Sequence, residues 1–142
     1  MRLSVDLLCV TVPHFADPWN PQREEIRAWA FDPEAEEPTQ DFDLALRWAR
    51  HERAYLDLAS DPTCPARRYF LSILYLIVGD AVRNGFADEP EPVIRGFVDR
   101  GSHYDHPDVL AWQERSRGLM ADPSSFDYEA WCAGGFARRG AT

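Results

Sequence analysis

Four side chains that can bind metal ions or transfer protons lie close together in HYDHPD, residues 103–108 of this 142-residue sequence. They are His103, Asp105, His106 and Asp108, of which the first three are our candidate ligands, because two histidines with one carboxylate form a known ligand set for transition metals. The stretch also runs into Pro107, and a polar residue before a proline is typical of a helix start. We favour the helix start and keep a metal site as the alternative.

The remaining residues with reactive side chains are scattered. The cysteines are odd in number and show no CxxC or Cys/His spacing for zinc; they are Cys9, Cys64 and Cys132. His51 precedes Glu52, but the second histidine of an HExxH zinc motif is missing. No GxSxG, P-loop or GxGxxG pattern is present. The sequence therefore predicts no cofactor and favours a protein without catalytic activity.

The segment DPEAEEPTQDFD, residues 32–43, carries six carboxylates and no positive charge. The carboxylates belong to Asp32, Glu34, Glu36, Glu37, Asp41 and Asp43. Trp19 and Trp29 come shortly before this segment, and aromatic residues beside complementary charge are typical of interface hot spots. These residues are our predicted partner-binding set, and the predicted partner is a basic protein. The alternative is a solvated loop that only keeps the protein soluble.

The charge balance argues against two classes of partner. The formal net charge is −9 and the sequence pI is about 4.8. Nucleic-acid binders normally present a basic face, and anionic lipid surfaces repel acidic proteins. We therefore expect no nucleic-acid partner and no membrane partner. All 15 basic residues are arginines, which indicates a GC-rich coding genome, as in many bacteria, rather than a mechanism.

The elements that position these residues are predicted to be helices. Proline-, glycine- and aspartate-rich turns separate five or six amphipathic segments, which predicts one all-α domain of stacked or bundled helices spanning residues 1–142. Asn20 and Pro21 are the predicted start of the first clear helix. Residues 32–41 form an acidic linker, and a long helix is predicted from Thr39 to about Ala59.

The most apolar segment, within residues 65–84, is predicted to be the buried central helix. Its apolar run is roughly half the length needed to cross a bilayer, so it is not a membrane span. Apolar residues cover nearly every side of it, which is typical of a helix surrounded by others. Helical spacing groups a few exceptions into a polar core seam, comprising Arg68, Tyr75, Asp80 and Arg83. We expect Asp80 to be a paired structural anchor.

Residues 1–19 are predicted to be an irregular N-terminal segment. Within it, residues 3–12 are compatible with either a short strand or a poor helix. Asp6 interrupts the apolar run and no small-residue cleavage site follows, so we expect no secretory signal and a cytoplasmic protein with reduced thiols.

Three functional hypotheses follow. The preferred one is a non-catalytic acidic interaction module, such as a regulatory protein or a bacterial immunity-type protein that masks the basic groove of a toxin or nuclease. The first alternative is a small metal-dependent hydrolase or ligand-binding helical protein that uses the 103–106 residues, with Asp80 and His51. The second is a structural homo-oligomer subunit whose interface includes Trp112 and Trp131.

Overall fold

Helices form all the regular secondary structure of residues 14–132, the part of the chain that the computed structural model describes. They pack into one domain without a strand in those residues, which confirms the all-α prediction. The α-helices are α1 (Arg23–Ala30), α2 (Phe42–Ala49), α3 (Glu52–Ser60), α4 (Arg67–Arg83), α5 (Glu91–Asp99), α6 (Pro107–Ala121) and α7 (Tyr128–Cys132). Two short 3₁₀ helices, η1 (Arg100–His103) and η2 (Pro123–Ser125), flank α6.

Helix α4 is the centre of the domain, as the sequence predicted. Of its 17 residues, 12 are buried, and α2, α3, α5, α6 and α7 all pack against it. A helix that is apolar on nearly every side can only be stable when neighbours cover it on several sides. The short helices around α4 supply that cover.

The C-terminal end of α4 is closed by a glycine in the left-handed conformation. Gly85 has φ +68°, which costs glycine little because it has no Cβ. The N–H of Phe86 donates to the carbonyl of Ala81 at 2.8 Å, and the N–H of Gly85 donates to that of Val82 at 3.2 Å. This Schellman arrangement satisfies two carbonyls that the helix end would otherwise leave unpaired.

The long helix predicted from Thr39 to Ala59 is wrong, because the chain breaks between α2 and α3. Arg50 has φ 59°, a left-handed conformation that ends α2. The Tyr55 hydroxyl donates to the carbonyl of Leu46 across the break at 2.5 Å. The apolar periodicity continues through both helices, so only contacts elsewhere in the fold could have revealed the break.

Three tryptophans that the sequence analysis treated as surface residues are buried. Trp29 is 1% exposed, Trp112 is 0% exposed and Trp131 is 8% exposed. Trp112 and Trp131 therefore offer no surface for the proposed oligomer interface. Trp29 packs edge-on against Phe42 with ring centroids 5.1 Å apart, and so belongs to the core.

Helix α1 begins later than predicted, at Arg23 instead of Pro21. The Glu25 carboxylate fixes this start, because it accepts the N–H of Gln22 at 3.0 Å and that of Ala16 at 3.1 Å. The carboxylate thereby links α1 to the preceding segment.

Two sequence predictions lie outside the described residues, namely the strand or helix at 3–12 and most of the 1–19 segment. Within residues 14–132, no helix combines the length and the apolar character that crossing a bilayer requires.

Candidate functional site

The 103–108 stretch forms a helix start, as we favoured. His106 is the N-cap of α6, and its Nδ1 atom accepts the N–H of Asp108 at 3.1 Å. The Asp108 carboxylate in turn receives Arg67 Nη1 at 2.7 Å. Among residues 14–132, no three His, Cys, Asp or Glu side chains are grouped as metal ligands would be. His103 and Asp105 are exposed on either side of Tyr104.

An aromatic ring from outside α4 packs against part of its polar seam. Phe126, which follows η2, lies directly over Gly79. The ring stacks on Tyr75 with centroids 5.0 Å apart and planes 13° apart, and the Arg83 guanidinium lies 4.2 Å from its centroid. The Tyr75 hydroxyl also accepts the N–H of Asp127 at 2.8 Å. The seam is therefore a docking groove for residues of this same chain.

Asp80 is a paired anchor on a neighbouring side of α4. Its carboxylate forms ion pairs with Arg47 of α2 and with Arg83, the latter at 3.1 Å. Burial lowers the pKa of Arg47. This arrangement fits a structural role for Asp80, because its carboxylate is paired with guanidinium groups on two sides. Arg68, the fourth seam residue, is on the exposed side of the first turn.

A cavity of about 730 Å³ lies between the segment before α1 and the acidic segment. We call it the acidic pocket, defined by the aromatic pair Phe15 and Trp29 and by the carboxylates of Asp32, Glu34, Glu36 and Glu37. Phe15 and Trp29 are almost fully buried, with ring centroids 6.2 Å apart. The pocket thus combines an aromatic floor with an acidic rim.

Hydrogen bonds hold the rim in place from both sides. The Trp29 indole Nε1 donates to the carbonyl of Glu36 at 2.8 Å, so the floor residue fixes the backbone of the rim. His14 Nε2 lies 2.9 Å from Asp32 Oδ2, which joins the two walls of the pocket. These contacts predict that the acidic rim keeps its shape when no partner is bound.

The rim carboxylates differ in how far they are engaged. Glu37 accepts the Tyr69 hydroxyl at 3.1 Å, and burial, followed by the charge of Glu37, raises the pKa of Tyr69. The side chains of Glu34 and Glu36 are exposed, and no ion pair within residues 14–132 involves them. They are the rim charges that a partner can reach most directly.

The structure brings together only part of the predicted partner-binding set. Asp41 and Asp43 line a separate, smaller pocket of about 240 Å³, together with Tyr69. Trp29 is the floor of the acidic pocket rather than a surface anchor, because its side chain is buried. Trp19 is 48% exposed and remains available to a partner.

Trp48 was missed by the sequence analysis because it falls on an apolar stripe of α2. It is 62% exposed, and its ring contacts that of Trp19 with centroids 6.1 Å apart. Beside it is a cleft of about 270 Å³, here called the tryptophan cleft, whose charged lining comprises Arg47, Arg50, Asp80, Asp88 and Glu89. An unusually wide apolar surface on α2 was the one available signal.

Arg50 ends α2 and also lines the tryptophan cleft. Its guanidinium forms ion pairs with Glu52 and Glu89 and lies 5.8 Å from the centroid of the Phe97 ring. Burial lowers the pKa of Arg50. Three contacts from different parts of the chain therefore compensate for its left-handed backbone.

Chemically, the site offers carboxylates, exposed indole rings and a preformed cavity, which together suit binding of cationic side chains. No family model, curated protein or solved structure matches this chain.

Proposed function

We propose that this protein is a non-catalytic interaction module that binds a basic protein through the acidic pocket. The observation that carries the proposal is the combination of exposed rim carboxylates with a buried aromatic floor in one cavity of about 730 Å³. A loop whose only task is solubility needs charge, but it needs no cavity behind the charge.

The pocket suits a guanidinium or ammonium group on a flexible stem. The stem's methylene groups can occupy the cavity, while the charged end stays among the rim carboxylates. Glu34 and Glu36 retain their hydration in the free protein because they are exposed. Their attraction for a partner therefore acts first on the rate of association and weakens as salt screens it.

A bacterial immunity-type protein is the concrete version that we propose. Inhibitors of nucleases and toxins must cover a basic substrate groove, and a chain with net charge −9 and a preformed acidic pocket has the required complementarity.

The test is titration of the protein with an oligo-arginine peptide by calorimetry at low and high salt. The double variant Glu34→Gln/Glu36→Gln removes two rim charges while keeping side-chain size, and we expect affinity to fall about five- to tenfold at low salt. The matched control, Glu114→Gln/Glu129→Gln, removes two exposed charges away from the pocket and should lower affinity less than about twofold. Equal losses in both variants would show that only net charge matters, and would overturn the proposal.

A further inference from the structure

Two exposed tryptophans next to each other call for a physical explanation. Trp19 and Trp48 are the two most exposed aromatic residues among the large hydrophobics of residues 14–132, and their rings contact each other. Indole rings left in water forgo the burial that usually stabilises them. Exposed tryptophans are also strongly enriched among the residues that dominate binding energy at protein interfaces.

We infer that Trp19 and Trp48 form an arginine-selective subsite, so that the basic partner presents arginine rather than lysine side chains to this surface. The inference rests on the proposed function, because it names the partner chemistry for a surface that continues from the acidic pocket. Pro18 lines that pocket and Trp19 is the next residue. One basic segment can therefore occupy both.

Contacts within the chain show how a guanidinium meets these rings. The Arg47 guanidinium lies 5.1 Å from the centroid of the Trp48 ring. A planar guanidinium stacks on an indole and keeps its edge N–H groups free for carboxylates, whereas a compact ammonium cannot do both as well. The exposed part of Trp48 and the adjacent ring of Trp19 can accept a second guanidinium from a partner.

The tryptophan cleft supplies an acceptor for those N–H groups. Asp88 lines the cleft together with Trp48 and is exposed. Its carboxylate accepts a hydrogen bond from the uncharged amide of Asn84 (Nδ2) at 3.2 Å, and no ion pair within residues 14–132 involves it. The other two carboxylates of the cleft, Asp80 and Glu89, are already paired with arginines of the chain. Asp88 is therefore the carboxylate that a stacked partner arginine would meet.

The experiment compares oligo-arginine and oligo-lysine peptides of equal length, titrated into the wild-type protein and into Trp48→Ala and Trp19→Ala variants. We expect the wild type to prefer oligo-arginine about three- to tenfold. Each tryptophan variant should lose about two- to fivefold in affinity for oligo-arginine and almost none for oligo-lysine. The control is Val93→Ala, since Val93 is 50% exposed on α5 and lines neither cavity.

The outcomes separate this inference from the proposed function. Loss of binding of both peptides in Glu34→Gln/Glu36→Gln, with no arginine preference in the wild type, would overturn the subsite and leave the acidic pocket standing. If the tryptophan variants abolish the arginine preference while Glu34→Gln/Glu36→Gln binds both peptides as tightly as the wild type, the subsite is supported and the pocket is overturned. Equal effects of Trp48→Ala and Val93→Ala would also overturn the subsite. Circular dichroism and thermal unfolding of each variant establish that the fold is intact.

Discussion

Replacing Gly79 by alanine is expected to destabilise the wild-type protein but to stabilise a variant that lacks the Phe126 ring. In an isolated helix the change stabilises by about 1 kcal/mol, because alanine has the higher helix propensity. In this fold a Cβ at position 79 would lie 2.1 Å from Cε1 and 2.4 Å from Cδ1 of Phe126. Ordinary carbon–carbon contacts are about 3.5–4.0 Å, so the Phe126 ring must move away from α4.

The cost of displacing the ring follows from its contacts. Its stacking on Tyr75 is worth about 0.5–1.5 kcal/mol. The partly buried ring also loses about 1 kcal/mol of hydrophobic stabilisation, and its contact with Arg83 contributes about 0.5 kcal/mol more. After the gain in propensity is subtracted, Gly79→Ala should destabilise the wild type by about 1–2 kcal/mol.

Removing the ring should reverse the sign. In a Phe126→Ala background the added Cβ meets no ring, so Gly79→Ala should stabilise by about 1 kcal/mol. The coupling free energy between the two positions is then about 2–3 kcal/mol. Urea unfolding of the four proteins, followed by circular dichroism, measures all the terms. Stabilisation of about 1 kcal/mol in both backgrounds would refute the placement of Phe126 over α4.

Three further outcomes are expected. Burial, and then a hydrogen bond to Asp57, raise the pKa of Tyr104 from 10.0 to about 12. The neutral phenol of Tyr104 therefore contributes its full stability below pH 10, and this contribution is lost as the pH rises towards about 12. Ultraviolet titration of wild type against Tyr104→Phe checks this, and an ordinary pKa would contradict it. Tyr75→Phe should destabilise by about 0.5–1.5 kcal/mol in urea, because the N–H of Asp127 loses its acceptor. His106→Ala should lower the free energy of unfolding by about 1 kcal/mol, because α6 loses its N-cap. Added Zn²⁺ should not change the unfolding midpoint of the wild type. A zinc-dependent increase in that midpoint would support the metal-site alternative.

The helices that the sequence predicted correctly are those determined by residues close together in the chain. The apolar run of α4 depends on residues within a few positions of one another, and the central helix was found where expected. The helix start at His106 is local in the same sense, because its cap bond spans two residues. Helix periodicity and capping chemistry are sufficient for such features.

Features that depend on distant residues could not be predicted. The break at Arg50 depends on Glu89, which comes from the loop before α5. The position of Phe126 over Gly79 depends on a residue outside α4, and nothing in the sequence of α4 identifies it. Trp29 and Trp48 look alike in sequence, since each falls in a segment that predicts an amphipathic helix. Only the packed fold shows that one is buried and the other exposed.

The order of the helices around α4 has a consequence for any attempt to reduce this protein to a smaller unit. The helices that flank the acidic segment, α1 and α2, have eight residues each, and isolated helices shorter than about 12–15 residues are marginal in water. A synthetic peptide spanning only residues 32–43 would carry the six carboxylates but neither Phe15 nor Trp29. Such a peptide would be a flexible polyanion without a cavity. The recognition that we propose for the acidic pocket is thus a property of the folded domain, and we expect cooperative unfolding of the domain to abolish it in the same step.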